Sequence, residues 1–529
     1  MRPEHAVILG HSLVESSKIE LRVPMSQHVD APIAVTEHQR TRLTEEDHVR
    51  IKRKTDMAIL PVLVWIYFLQ VLDKAVLGTG SLFNLREDTG MHGNQYSWVG
   101  SISPIAQLAW QPFSTWLIVK VPHRILMPTL TLGWGISQAC MAGCRDFVSL
   151  LVARFFLGLF EGGCLPLFSV ITSQWYRRAE QPIRVAIWYS TNGAATITAS
   201  VLAYVLGHIP SAVMKPWQIT FLFTGLVTIA SSPWAYWRLD NNISSARFLT
   251  ERERQQAAER LHFNQTSAVS REFKWSQVWE AVLEPKSYLW IAMSVLVNIG
   301  ASVAVVFGPL VVSSFGFDKF RTSLLNIPFG AIQALVILAS CWAAQKAKLK
   351  SVALASFMIP VIVGVVILYV LDRKPSDRAP LLVSYYLLAC LFSGNPLIVS
   401  WIIGNTAGTT KQSVNMALYQ AGSSVGNIVG PLLFNEKDAP VYHRGLRAVL
   451  GVFVALIMSI GIQVINLMVL NKLQSQTRVN RGKQATIDDR SMANKYHSGG
   501  SGKDADGELG QQASLDLTDR QNDEFVYIY

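Results

Sequence analysis

The sequence is poor in charge. Only 16% of its 529 residues are charged while 50% are hydrophobic, and a water-soluble domain of ordinary composition carries closer to about 25% charge. That shortage argues against a string of soluble domains, which the length alone would suggest. Cysteine is scarce too: Cys140, Cys144, Cys164, Cys341 and Cys390 are an odd number, mostly inside apolar runs, and make no disulfide framework. Cys140 and Cys144 stand one turn apart with no His or second Cys pair at ligand spacing, so they read as small apolar filler and no metal is expected. The P-loop and HExxH patterns are missing, and GSSVG at 422–426, which fits GxSxG, lies inside an apolar run and not on a strand-to-helix elbow, which leaves ATP-driven pumping and membrane enzymology without support. The chain is therefore not expected to be an enzyme, and it calls for no cofactor. A signal peptide is not expected either: residues 1–56 are polar, and the first apolar run is too long and too far along to be a cleaved h-region.

What the sequence does have is a regular succession of apolar runs. Each is long enough to cross about 30 Å of hydrocarbon at roughly 1.5 Å per residue. They fall near 57–78, 96–117, 125–143, 148–172, 185–207 and 217–237, then near 287–312, 323–344, 351–371, 381–404, 413–434 and 446–470. The expected fold is an all-α membrane protein of twelve transmembrane helices in two pseudo-symmetric six-helix bundles, 57–237 and 287–470. Between them, 238–286 is polar and mixed in charge and reads as a cytoplasmic connector, with a helix at 249–261 capped by Thr250. Residues 1–56 read as a largely disordered cytoplasmic arm containing a short helix near 44–53, where Thr44 and Asp47 resemble a capping box. The tail 471–529, with its Gly-Ser stretch at 497–503, reads as disordered and cytoplasmic. The halves also echo one another: 97–120 and 323–346 each carry an early Pro and end in Trp and Lys, an internal symmetry that implies a cavity between halves.

The formal charge of +11 does not point to nucleic acid, because basic residues are scattered between apolar spans. They gather in Arg50, Lys52, Arg53 and Lys54, in Arg177 and Arg178, and in Lys346, Lys348 and Lys350. Arg50–Lys54 before the first span contrasts with Arg86, Glu87 and Asp88 after it, and the connector and tail add basic residues on the N-terminal side. Both termini are accordingly expected in the cytoplasm of a multi-pass protein of the plasma membrane, acting as a monomer. Asn242 and Asn264 match the glycosylation pattern but fall in the connector and are expected to go unused. The tryptophans, among them Trp98, Trp134, Trp188, Trp217, Trp290 and Trp401, read first as interfacial anchors.

Ionisable residues at membrane depth are the functional candidates, since insertion there costs roughly 2.5 kcal/mol or more unless a cavity or partner receives the charge. Arg154, Gly158 and Glu161 share one helical face at spacings of four and three. Arg154 is suited to an anionic substrate and Glu161 to proton exchange; the alternative is a structural pair between Arg154 and either Glu161 or Asp73. Asp73 is a candidate for a gate or coupling relay, whereas Lys74 reads as a snorkelling anchor. Lys411 begins the eleventh span. Asn192, Asn298, Gln333, Asn395, Asn405, Asn415, Tyr419, Gln420 and Asn427 either line a path or tie helices together. Asn192, Asn298, Asn395 and Tyr419 are the preferred binding candidates among them. Gly158 with Gly162, and Gly422 with Gly426 and Gly430, form close-packing faces.

Several stretches resemble the major facilitator superfamily, and within it the fungal anion:cation symporter group of allantoate permease-like carriers. They are 67–78 (YFLQVLDKAVLG), 85–100 (LREDTGMHGNQYSWVG), 153–162 (ARFFLGLFEG), 172–192 (TSQWYRRAEQPIRVAIWYSTN), 315–330 (FGFDKFRTSLLNIPFG) and 404–431 (GNTAGTTKQSVNMALYQAGSSVGNIVGP). The resemblance spans about residues 45–475. It implies a rocking secondary transporter that imports a small organic anion, such as a ureide, a vitamin or a related carboxylate, together with protons. The alternative is export of a metabolite by proton antiport. Arg154 and Glu161 match the family's fourth-helix motif, Asp73 and Lys74 its first, and Gly404, Asn405, Lys411 and Asn427 its late motif. One departure is 116–124 (WLIVKVPHR), which lacks the Asp that forms a conformational latch elsewhere in the superfamily.

Overall fold

The protein is described by a computed structural model that covers residues 44–82, 85–92, 95–207, 214–262, 272–314, 319–371, 375–433, 443–486 and 516–529. The arm before Thr44, Asn264 and the Gly-Ser stretch 497–503 lie outside these residues. Among the described residues there are helices and no strands. The first six-helix bundle is made by α1 (Glu45–Leu82), the one-turn α2 (Leu85–Asp88), α3 (Gln95–Lys120), α4 (His123–Met141), α5 (Phe147–Glu161) continued by α6 (Cys164–Trp175), α7 (Gln181–Tyr189) continued by α8 (Thr191–Gly207), and α9 (Pro216–Arg238). The connector holds α10 (Glu251–His262) and α11 (Trp275–Leu283). The second bundle is α12 (Pro285–Ser314), α13 (Lys319–Ala347), α14 (Lys350–Val370), α15 (Arg378–Leu387) continued by α16 (Gly394–Gly404), α17 (Thr409–Leu432) and α18 (His443–Asn480).

Among the described residues, eight spans are long and apolar enough by themselves to cross a bilayer. The others, α3, α4, α7–α8 and α17, are diluted by polar side chains such as Gln107, Gln111, Gln138, Asn192, Gln412, Asn415 and Gln420. Three of these four do not face lipid all round: α3 packs on α17 and α8 on α13, each pair crossing from one half to the other. A polar face is tolerated there because another helix or a cavity receives it.

Local chemistry sets the ends. Asp146 accepts from the backbone N–H groups of Val148 and Ser149, both at 3.1 Å, and starts α5 as an N-cap. Thr44 and Asp47 exchange the two bonds of a capping box at 3.2 and 3.4 Å. That box opens α1 itself: the short helix expected near 44–53 is the first part of one unbroken 38-residue helix. At the other end, the expectation of a disordered tail 471–529 is corrected at both of its ends. Helix α18 continues to Asn480, and residues 516–529 return to pack against the bundle, where Thr518, Asp519, Phe525 and Tyr527 are buried. Acidic residues meeting a set of lysines and arginines give that segment its place, a pairing across distant sequence that local composition does not reveal.

The tryptophans also divide. Trp98, Trp116, Trp237 and Trp342 are exposed, as interfacial anchors must be. Trp134, Trp188, Trp217, Trp290 and Trp401 are buried instead. Their ring N–H groups explain part of this: Trp134 donates to Asp73 at 2.9 Å, Trp217 to Asp88 at 2.8 Å and Trp401 to the carbonyl of Ile528 at 2.8 Å.

Candidate substrate path

Three spans are interrupted near their middles. The fourth breaks at Gly162 and Gly163 between α5 and α6, the fifth at Ser190 between α7 and α8, and the tenth passes through a 3-10 segment, Leu388–Ser393, before α16. Irregular backbone at membrane depth persists where protein covers it or where it lines a cavity. Glu161, Asn192 and Asn395 sit at or within two residues of these three breaks.

In the first half, the buried Glu161 accepts from Gln107 Nε2 at 2.8 Å and pairs with Lys74 at 3.3 Å. Gln70 Nε2 reaches the Glu161 carbonyl at 3.4 Å, a carbonyl freed by the helix break. Lys74 is thus turned towards the fourth span, where it pairs with a carboxylate while its side chain stays 45% exposed. Arg154 lies two turns from Glu161 and is buried to 3% exposure, yet the two form no ion pair. Its Nε and Nη2 have no hydrogen-bond partner among the described residues. Asp73 does not pair with Arg154 either: it accepts from Trp134 at 2.9 Å and from Thr228 at 3.3 Å, joining α1 to α4 and α9. Neither structural alternative for Arg154, with Glu161 or with Asp73, is formed.

In the second half, Asn298, Asn395 and Tyr419 meet. Asn298 Nδ2 donates to Asn395 Oδ1 at 3.2 Å, and the Tyr419 hydroxyl donates to the same oxygen at 2.5 Å. Asn192, on the first half, donates to the Tyr67 hydroxyl at 3.2 Å. Tyr67 is boxed by Trp188 at 5.0 Å, Tyr189 at 5.1 Å and Phe168 at 6.0 Å between ring centres. The Tyr189 hydroxyl lies near those of Tyr67 and Tyr419, which sets the aromatic box of one half beside the asparagine-tyrosine cluster of the other. A bridge joins the halves where Gln420 Nε2 donates to Gln107 Oε1 at 3.2 Å, in line with Glu161. Tyr67, Tyr189 and Gln107 were not among the residues the sequence singled out. Neutral and without a charge pattern, they carried no signal apart from position.

The glycines mark close approaches. A methyl group on Gly158 would sit 2.8 Å from the Ser103 Cα of α3, and one on Gly162 3.1 Å from the Gln107 Cα. On α17, Gly422, Gly426 and Gly430 face the backbone of α12 at Ile291, Val295 and Ile299. Gly193 was not expected: it abuts the Gly330 carbonyl across the halves, leaving no room for a side chain.

Lys411 belongs elsewhere. It is fully buried at the connector end of the bundle among Glu280 at 2.8 Å, Glu284 at 2.7 Å and Asp519 at 2.8 Å, away from the substrate candidates. A lysine at the first turn of α17 reaches back over the helix end to carboxylates that only the fold assembles. That end is closed. Ser173 on α6 donates to Gln412 on α17 at 2.9 Å, and Arg178 donates to the Gly404 carbonyl across the halves. The segment 116–124, lacking an Asp, is held instead by Arg124, which donates to the Tyr236 carbonyl at 3.1 Å and to Asn241 at 3.0 Å.

Comparison with known proteins places this geometry. A model of the Major Facilitator Superfamily matches residues 63–433. A thiamine pathway transporter of Saccharomyces cerevisiae is 32% identical over 398 residues, 74% of this chain and 75% of its own length. An uncharacterized transporter of Schizosaccharomyces pombe is 31% identical over 77% of both chains, and an allantoate permease of S. cerevisiae is 27% identical over 90% of this chain and 89% of its own. Among solved structures, the human organic anion transporter MFSD10 superposes with a TM-score of 0.55 at 14% identity, covering 76% of this chain and 99% of that one, a likeness of fold.

Proposed function

The chain belongs to the Major Facilitator Superfamily, and we propose that it imports a small organic anion together with protons. The observation that carries the reading is Arg154: a guanidinium buried at membrane depth with two nitrogens lacking partners among the described residues, which a carboxylate would complete in bidentate form. The likeness to an allantoate permease and to a thiamine pathway transporter supports a small organic substrate. Tyr67, Asn192, Asn298, Asn395 and Tyr419 supply a ring of aromatic faces and amide groups suited to a polar, planar solute. Such sites fix orientation with a few polar groups set among apolar walls.

Glu161 is the coupling group of this reading. It lies at a helix break, is bonded to Lys74 and Gln107, and sits two turns from the substrate arginine. Protonation would release Lys74 and loosen the Gln107–Gln420 bridge between halves, linking proton occupancy to rocking. Both termini and the connector lie on the cytoplasmic side of the plasma membrane in this orientation, and the carrier acts as a monomer. The test is accumulation of labelled small carboxylates in cells expressing the chain, at external pH 5 and 7, with and without a protonophore. Accumulation that is greater at pH 5 and lost with the protonophore supports the proposal. Protonophore-sensitive depletion of a preloaded compound would replace import by export.

A further inference from the structure

Residues 516–529 make a set of contacts that no transport step requires. Asp516 pairs with Lys274 of the connector at 3.0 Å and accepts from the Thr409 N–H at 2.7 Å, at the start of α17. Asp519 is fully buried between Lys286 and Lys411, at the starts of α12 and α17, and the Tyr527 hydroxyl donates to it at 2.8 Å. The Asn405 side-chain amide exchanges two bonds with the Ile528 backbone, its Nδ2 donating to the carbonyl at 2.9 Å and its Oδ1 accepting from the N–H at 2.8 Å. Asn471 brackets Tyr527 in the same way, at 2.8 Å on each side, and the Lys350 N–H donates to the Tyr529 carbonyl at 2.8 Å. All these partners belong to the second half or to the connector.

The segment also reaches the first half. The Arg178 guanidinium lies 4.7 Å above the ring of Phe525 and donates to the Val526 carbonyl at 2.9 Å, and Ala179 packs against Ile528. Arg178 also donates to the Gly404 carbonyl of the second half. One first-half arginine is therefore held from two sides, by the end of α16 and by the returning segment. Separation of the halves at this end breaks both sets of bonds. Thirty-five residues of sequence lie between Asn480 and Asp516, ample length for the segment to leave its groove without straining α18.

We infer that residues 516–529 are a latch: a peptide docked in its own groove that holds the carrier closed at the connector end and must release Arg178 before that end opens. The inference rests on the rocking of two halves but not on which solute is carried, nor on protons. Its effect is a bias between two states, and coupling between such states commonly amounts to roughly 5–150-fold.

The experiment measures the halves directly, in purified full-length carrier without substrate. Spin labels are placed at Lys120→Cys on α3 and Lys346→Cys on α13, both exposed at the connector end, with Cys140 and Cys390 replaced by Ser. Three chains are compared: the parent, Phe525→Ala, and a chain ending at residue 515, the last also with a synthetic peptide of the 516–529 sequence added. The expected result is a short distance in the parent, a ratio of open to closed shifted by about tenfold in both variants, and return of the short distance when peptide is supplied. Identical distance distributions in parent and Phe525→Ala overturn the latch, as does a truncated chain whose opening the peptide fails to reverse. Should the truncated chain not fold, Phe525→Ala decides alone, since it removes only a ring. Failure of anion uptake in the parent would leave this measurement untouched and would count against the proposed substrate only.

Discussion

Replacing Arg154 by Ala separates a binding arginine from a structural one, because the two roles predict opposite effects on stability. Breaking a buried ion pair by removing one partner costs about 3–5 kcal/mol, as the remaining charge is stranded. Among the described residues Arg154 has no such partner: Nε and Nη2 are unbonded, and Glu161 and Asp73 are engaged with Lys74 and with Trp134 and Thr228. Its removal strands nothing, so the melting temperature of the detergent-purified carrier should stay level or rise. Binding should suffer instead. A hydrogen bond to a charged group is worth about 1.5–3 kcal/mol, and losing a bidentate pair at the upper figure lowers uptake at limiting substrate by on the order of a hundredfold. Arg154→Lys keeps the charge but loses the planar fork, and should recover only part of that loss. The assays are initial uptake rate against substrate concentration, surface abundance, and thermal shift with and without substrate. A variant that melts several degrees lower, with uptake falling only in proportion to the folded protein left, refutes the reasoning.

Three further outcomes are expected. Glu161→Gln should abolish pH-driven accumulation while exchange of labelled for unlabelled substrate continues; accumulation that still follows the proton gradient would remove Glu161 from the coupling role. Gly193→Val has no space for its side chain against the Gly330 carbonyl, so uptake should drop at least about tenfold while each half stays folded, overpacking costing roughly 1–3 kcal/mol; uptake at half the parent rate or better would show that the close approach is dispensable. For Asp519, burial alone would raise the carboxyl, but Lys286 and Lys411 outweigh it and hold the group well below its ordinary 3.8. A depressed folded value stabilises docking above 3.8 and loses that contribution as pH falls below it, so protease sensitivity of the segment should be flat from pH 5 to 8 and rise only under strong acid. Release near pH 6 would contradict the assignment of Asp519 as the anchor.

Much of the architecture was legible because hydrocarbon imposes its own length on a helix. All twelve apolar runs correspond to helical spans, even where α5–α6, α7–α8 and α15–α16 are interrupted. Arg154, Glu161 and Asp73 stood out because charge at that depth is costly, but their partners did not: nothing local says that Glu161 meets Lys74, or that Trp134 turns inward to Asp73. Lys411 was visible as a charge near a span and invisible as the hub of a cluster, since Glu280, Glu284 and Asp519 come from three separate stretches. The returning segment was hardest to see. Its acidic, polar composition is that of a solvated tail, and only the opposing lysines and the groove beside Asn405 and Asn471 make it a buried one.

The connector has a modular consequence. Helix α10 is fastened to the first bundle, with Glu253 bonded to Lys54 at 2.7 Å, Gln256 to Asp47 at 3.1 Å, and Arg260 to Glu180. Helix α11 is fastened to the second, where Gln277 accepts from the Thr410 and Lys411 N–H groups, both at 3.1 Å. Each bundle thus carries its own share of the linker, and 263–271 is the stretch of chain left to join them. A carrier made as two polypeptides divided within those nine residues keeps every one of these anchors on the correct piece. The two fragments would reassemble by their inter-half contacts alone, making reconstitution a direct assay of how strongly the halves hold each other.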